Sequence, residues 1–175
     1  MNRTEVILVD EHDNEIGVME KQEAHLSPNL HRAFSVFIFN NDGKMLLQQR
    51  ANSKYHSGGL WTNACCSHPS PGEKTDQSAI RRLKEEMGFD TELQEIYSFT
   101  YKAELDNGLI EYEYDHVFFG IYNGPVNPDS NEVQNFAYKT IDEIQAEILL
   151  KPELYTEWFK IAFPKVKYLR LAQGN

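Results

Sequence analysis

Arg32 to Asn40 (RAFSVFIFN) is rich in aromatic and β-branched residues and reads as a buried strand. Asn41-Asp42-Gly43 is a strong turn signal, and Lys44 to Arg50 returns from it as the second arm of a hairpin. Upstream, Val6 to Val9 and Glu15 to Glu20 read as short strands flanking the turn-like Asp13-Asn14. After a loop containing Gly58-Gly59 the period changes. Ala79, Ile80, Leu83 and Met87 form an apolar stripe at helical spacing between Thr75 and Gly88, and Gly88 is placed to end that helix.

Leu93 to Tyr101 and Leu109 to Tyr122 read as two more strands around Asp106-Asn107-Gly108. Asn123 to Glu132, with its Gly, two Pro and three Asn, reads as loop. Thr140-Ile141-Asp142-Glu143 matches a capping box and starts a helix that ends near Pro152. Tyr155 to Leu171 begins as helix, with Pro164 expected to interrupt it. Strands and helices are mixed, with many antiparallel turns and no internal repeat. The pattern predicts an α+β (α/β layered) fold in one domain spanning 1–175.

Composition narrows what such a domain does. The 175 residues hold 17 Lys plus Arg against 27 Asp plus Glu, a net charge of −10. That balance argues against nucleic acid as a partner, which needs a basic face. A diphosphate stays possible, because metal ions and a few local cations can overcome the global repulsion. The only two cysteines, Cys65 and Cys66, are adjacent, a poor arrangement for a stabilising disulfide that implies a reducing compartment. Met1 to Asp10 lacks the basic start and apolar core of a signal peptide, and no apolar run is long enough to span a bilayer. The expected location is the cytoplasm, with no membrane partner.

The Thr75–Gly88 helix carries clustered charge. Arg81 with Glu85, and Arg82 with Glu86, are spaced to pair at i and i+4, which by itself describes an ordinary solvated face. Glu73 ahead of the helix, Arg81 eight residues on, then Leu83, Glu85, Glu86 and Gly88 add a second constraint. Residues about 67–89 resemble the Nudix box, and the fold implied is a Nudix-like set of mixed β-sheets flanked by helices. Ser67 stands where that box has its first Gly, and Arg82 where it has a Glu. Losing one anionic ligand and gaining a cation weakens a cluster built to cleave a diphosphate. Mg2+ held mainly by Glu86 remains feasible, with Arg82 available to a phosphate oxygen.

His25, His31 and His68, with Glu111 and Glu113 two apart on one strand face, would make an N/O donor set suited to manganese, zinc or iron(II). Spacing alone does not join them, and His12, His56 and His116 read as ordinary histidines. Trp61-Thr62-Asn63 followed by Cys66 and His68, the carboxylate helix, and Glu111-Tyr112-Glu113 together resemble the type 1 isopentenyl-diphosphate isomerases. The similarity runs from about Val6 to Trp158. It implies one divalent metal, Mn2+ or Zn2+, on His25, His31, His68, Glu111 and Glu113. It also implies Mg2+ on the substrate diphosphate, held by Glu86 with the Cys66 backbone carbonyl. Lys21, Arg50 and Lys54 match positions around the diphosphate, with Ser67 and Arg82 as added donors.

Adjacent side chains alternate in an extended segment, so Cys65 and Cys66 cannot both face one pocket. His68 shares parity with Cys66, which the family motif also selects, leaving Cys65 as a small buried hydrophobe. The implied reaction interconverts isopentenyl and dimethylallyl diphosphate through a tertiary carbocation. It needs an acid, a base, aromatic walls and exclusion of water. Cys66 and Glu113 are the expected proton-transfer pair, with Tyr101 orienting or relaying a proton. Trp158 reads either as an aromatic wall for the cation or as a core residue of its helix. A Nudix hydrolase of a nucleoside or prenyl diphosphate, and a noncatalytic binder, are the alternatives. The expected partner is a small prenyl diphosphate, bound by a monomer or weak dimer.

Overall fold

The computed structural model describes residues 4–174. The readings of the leader segment and of the 1–175 domain therefore extend, at the first three residues and the last, outside the described ones. Strands β1 (Glu5–Val9) and β2 (Glu15–Glu20) pair antiparallel as expected. A short helix, α1 (Lys21–Leu26), follows directly, its first turn capped by the Glu20 carboxylate accepting from the Glu23 N–H. The sequence pattern did not suggest α1, because six residues are too few to show a period.

β3 (His31–Phe39) is the central strand. On one side it runs parallel to β8 (Ile110–Ile121), with His31 opposite Glu113 and Phe39 opposite Ile121. On the other side it pairs with β4 (Met45–Arg50) only at the hairpin end, and with β6 (Cys65–Ser67) along Phe34 to Val36. β4 instead pairs with β5 (Trp61–Asn63) and β9 (Val133–Lys139), and β7 (Leu93–Glu104) edges β8. β5, β6 and β9 were not predicted. Three-residue strands show no alternation, and β9 has only one fully buried residue, Val133.

Burial on both faces of β3 shows where the two cores lie. Phe34, Val36 and Ile38 pack beneath α2 (Thr75–Met87), against Leu83 and Met87. Phe37 and Phe39 point the other way, toward α3 (Ile141–Leu150) and α4 (Glu157–Ala172). The mixed sheet thus lies between helices, the layered α+β arrangement expected. No helix among the described residues is long and apolar enough to cross a membrane.

Two helical expectations need correction. Ile80 does not join the buried stripe of α2; it is exposed, and Ser78 and Glu86 take inward positions beside Ala79, Leu83 and Met87. Pro164 does not end α4, which continues to Ala172. Pro164 lies on the solvent side, while Trp158, Phe159, Ala162, Phe163 and Val166 are buried on the other. That apolar stripe outweighs the loss of one backbone hydrogen bond. The capping box at Thr140 is formed in both directions. Gly88 ends α2 with φ 78°, and the loop after β8 clamps that end, Asn127 N–H donating to Met87 O and Asp129 N–H to Glu86 O.

Candidate active site and metal centre

The strand registers assemble the site. Tyr101 on β7 and His31 on β3 both stand opposite Glu113 on β8, so one rung across three strands carries a phenol, a carboxylate and an imidazole. Along the same face β8 continues as Glu111, Asp115, Val117 and Phe119, polar at one end and apolar where it meets α4. The Tyr101 hydroxyl lies 2.7 Å from Glu113 Oε2 and 2.9 Å from Glu111 Oε2, shared between the two carboxyls.

Three histidines close on Glu113 from three elements. His25 comes from α1, His31 from β3 and His68 from just after β6, with ring centroids 5.0–5.8 Å apart. His68 Nε2 is 2.9 Å from Glu113 Oε1, and His31 Nε2 is 3.6 Å from it. His25 Nδ1 faces the Lys21 carbonyl at 2.6 Å and His31 Nδ1 the Asn29 carbonyl at 2.8 Å. A carbonyl can only accept, so in both rings Nδ1 carries the proton and Nε2 offers a lone pair. Both Nε2 atoms, and His68 Nδ1, are buried without a hydrogen-bond partner. Buried lone pairs left unpaired are costly. One ligand atom from each of His25, His31, His68 and Glu113 lies within 4.8 Å of the others, and the donor set fits a borderline divalent cation. Backbone carbonyls behind ligand imidazoles are the usual second layer of such a site. Glu111 is outside that foursome, its carboxyl bonded to Tyr101.

Electrostatics agree with this arrangement. Burial lowers His25 and takes His68 down to about 3, leaving the rings neutral. Burial would raise Glu113, but His31 and His68 beside it outweigh that and hold its carboxyl well below the usual range. Burial, then the charge on Glu113, push Glu111 well above it. The two carboxyls are pushed in opposite directions, Glu113 toward the anion and Glu111 toward the protonated form.

Cys66 reaches the same cavity from β6. Its Sγ donates to Asn63 Oδ1 at 3.0 Å and lies 3.5 Å from Ser35 Oγ, while burial pushes the thiol far above its ordinary range. Cys65 points the opposite way into the core under α2, as its parity predicts. Lys21, Arg50, Lys54, Ser67, Arg82 and Glu86 line the cavity with Cys66, His68, Tyr101, Glu111, Glu113 and Trp158. His25 and His31 stand behind His68.

The cations differ in how they are held. Burial, then Lys54 and Arg50, press the Lys21 ammonium downward, the condition of a cation short of an anion. Lys54 pairs with Glu132. Arg50 donates to the His56 carbonyl at 3.2 Å and lies 5.1 Å over the Trp158 ring. Arg82 is engaged by Glu85 at 2.6 Å and Glu86 at 2.7 Å, and Glu86 also accepts from Gln48 at 3.0 Å. Arg81 makes a two-bond fork with Glu73, at 2.7 and 2.8 Å, besides its bond to Glu85.

His116 bridges Glu95 and Asp13 away from the cavity, and His12 is exposed beside Glu11. His56 departs from its ordinary reading: it is buried, lines the cavity and packs its ring against Trp158 and Tyr55. Ser35, Tyr55 and Asp115 were also missed. Ser35 shares strand parity with His31, and Asp115 extends the alternation of Glu111 and Glu113, which is the sequence signal for both.

The fold and the carboxylate helix are those of a NUDIX domain, whose family model matches residues 29–159. DR0079 from Deinococcus radiodurans shares the fold, with a TM-score of 0.68, 15% identity, and coverage of 84% of this chain and 90% of that one. A MutT protein from Methanosarcina mazei Go1 does so at TM-score 0.66 and 18% identity, covering 79% and 94%. Sequence relatives narrow the class. An isopentenyl-diphosphate Delta-isomerase of Pectobacterium atrosepticum is 54% identical over 95% of this chain and 93% of its own length. Isopentenyl-diphosphate Delta-isomerase 2 of Aromatoleum aromaticum is 46% identical over 97% and 90%. The chain belongs to the isopentenyl-diphosphate Delta-isomerase family of NUDIX proteins.

Proposed function

We propose that this chain interconverts isopentenyl diphosphate and dimethylallyl diphosphate, with Cys66 and the Glu113–Tyr101 pair as its proton-transfer groups. The observation that carries the reading is one cavity lined by a thiol, a tyrosine bridging two carboxyls, and a cationic rim. A proton is added to the terminal alkene carbon, and another is removed from the carbon beyond the tertiary cation so formed. Tyr101 holds a proton between Glu111 and Glu113, and Cys66 presents an S–H from β6. Which group donates first depends on the direction of turnover.

Lys21, Arg50 and Lys54 bind the diphosphate, with Ser67 as a donor. Arg82 reaches a phosphate oxygen while still bridging Glu85 and Glu86. Trp158 walls the carbocation and excludes water, its other role being to seat Arg50. His25, His31, His68 and Glu113 would hold one divalent ion, Mn2+ or Zn2+, with Glu111 beside them bonded to Tyr101. Glu86 and the Cys66 carbonyl would hold Mg2+ with the substrate. When bound, these ions neutralise phosphate charge and fix the direction of Glu113. We read the chain as a single cytoplasmic domain, monomer or weak dimer.

Incubation with isopentenyl diphosphate, magnesium and manganese in deuterated water tests this. Deuterium-bearing dimethylallyl diphosphate is expected. Released phosphate without isomerisation would instead identify a hydrolase, and bound but unchanged substrate a noncatalytic binder.

A further inference from the structure

Behind Cys66 lies a buried polar chain that the proton-transfer reading leaves unused. Asp115 is 1% exposed, the last carboxyl of the Glu111–Glu113–Asp115 row and the one nearest the apolar core. Its Oδ2 accepts the Ser35 hydroxyl at 2.7 Å, and its Oδ1 has no hydrogen-bond partner. A carboxyl so deep, satisfied on one oxygen only, is destabilising unless its remaining bond serves something. Ser35 Oγ is also 3.5 Å from Cys66 Sγ, because β3 and β6 place Ser35 and Cys66 directly opposite each other.

On its other side the thiol meets Asn63. Both amide hydrogens of Asn63 are spent on the carbonyls of Val36 and Cys65, at 3.0 and 2.9 Å, so its Oδ1 is turned toward Cys66. With the Ser35 proton committed to Asp115, the Ser35 oxygen turns a lone pair toward sulfur. Cys66 is then held between two oxygens from two different strands, its S–H on Asn63 Oδ1 and the serine oxygen against its sulfur.

We propose that Ser35 and Asp115 are positioning residues for Cys66. Asp115 accepts the serine hydroxyl's hydrogen bond, and the serine oxygen so fixed lies against the sulfur and keeps the thiol in the rotamer whose S–H points to Asn63 Oδ1. Ser35 lines the cavity wall beside Cys66, and Asp115 lies behind it. Both act through the thiol, so the proposal rests on Cys66 being a proton-transfer group. A misplacement of about 1 Å at a reacting group can cost on the order of 100-fold in rate, which gives this bracket its leverage.

The test compares Ser35→Ala, Ser35→Thr and Asp115→Asn with Cys66→Ala in the metal-loaded protein. It measures kcat, KM, bound metal, and the infrared S–H stretching band of Cys66, isolated by difference against Cys66→Ala. Ser35→Ala is expected to lower kcat about 10- to 100-fold. KM and bound metal should stay within twofold of wild type, and the S–H band should move to higher frequency as the thiol, no longer held in place by the serine, leaves its bond to Asn63. Ser35→Thr, which keeps the hydroxyl, should recover both. Asp115→Asn, whose amide oxygen still accepts from Ser35, should fall between. An unmoved band with kcat within twofold in Ser35→Ala overturns the proposal. So does a fall in kcat with an unmoved band, which would mark a structural effect only. If Cys66→Ala itself keeps turning over, the proton-transfer reading has failed, and the band shift alone then decides whether Ser35 orients the thiol.

Discussion

Cys65 and Cys66 are chemically identical, adjacent in the chain and opposite in environment. One is packed among Val36, Leu83 and Met87; the other faces Asn63 and Ser35 at the cavity. Cys66→Ala should therefore abolish isomerisation, whereas Cys65→Ala keeps most of it and registers mainly as a lower melting temperature. Equal activities in the two variants would remove Cys66 from the mechanism. Tyr101→Phe deletes only the hydroxyl between Glu111 and Glu113. Its kcat should fall about 100- to 10,000-fold, the usual range for a positioned proton-transfer group, with little change in bound metal. The choice between the cysteines was legible from alternation and motif. The bracket around Cys66 was not, since Ser35 and Asp115 are 80 positions apart in the chain and meet only through the β3–β8 register.

In the carboxylate helix, motif positions divide between chemistry and construction. Glu86 faces the cavity, while Glu73 is consumed in its fork with Arg81. Arg81 takes the Glu73 carboxyl from 4.5 down to about 2 against the opposing effect of burial. A group whose folded value is depressed contributes stability above its unfolded value and loses it as pH falls through the folded one. The pair's contribution is thus complete above about pH 4.5 and disappears toward pH 2. Glu73→Gln should lower the melting temperature at pH 7 and flatten its decline over that acid window; a parallel curve would mean the pair contributes nothing. At the other end of α2, a Cβ on Gly88 would sit 2.1 Å from the Asn127 carbonyl oxygen, at φ 78°. Gly88→Ala should cost about 1–2 kcal/mol for the backbone alone and more for the clash, measurable by denaturant unfolding. Gly88 as a helix terminator was readable from its place after the stripe. Its contact with residue 127 was not, because no local pattern links a helix end to a loop 39 positions later.

Across the molecule, the proposed metal ligands tie the amino-terminal segment to the sheet. His25 rides on α1, whereas His31, His68 and Glu113 come from β3, the end of β6 and β8. A chelator should lower the melting temperature and readdition of Mn2+ or Zn2+ restore it. At 100 times the dissociation constant the expected stabilisation is about 2.7 kcal/mol. Unchanged melting would argue against a metal on these four residues. The chain itself specified much of this protein: alternation gave the main strands, the apolar stripe and capping box gave α2 and α3, and residue types gave the donor sets. Those signals are local, being side-chain periods and backbone preferences over a few residues. The parallel pairing of β3 with β8, the short strands β5 and β6, the continuation of α4 past Pro164 and the burial of His56 arose only on folding. Each depends on contacts between segments far apart in the chain, where packing outweighs local preference. The same pairing sets Glu113 between Tyr101 and His31, and so turns scattered donors into one site.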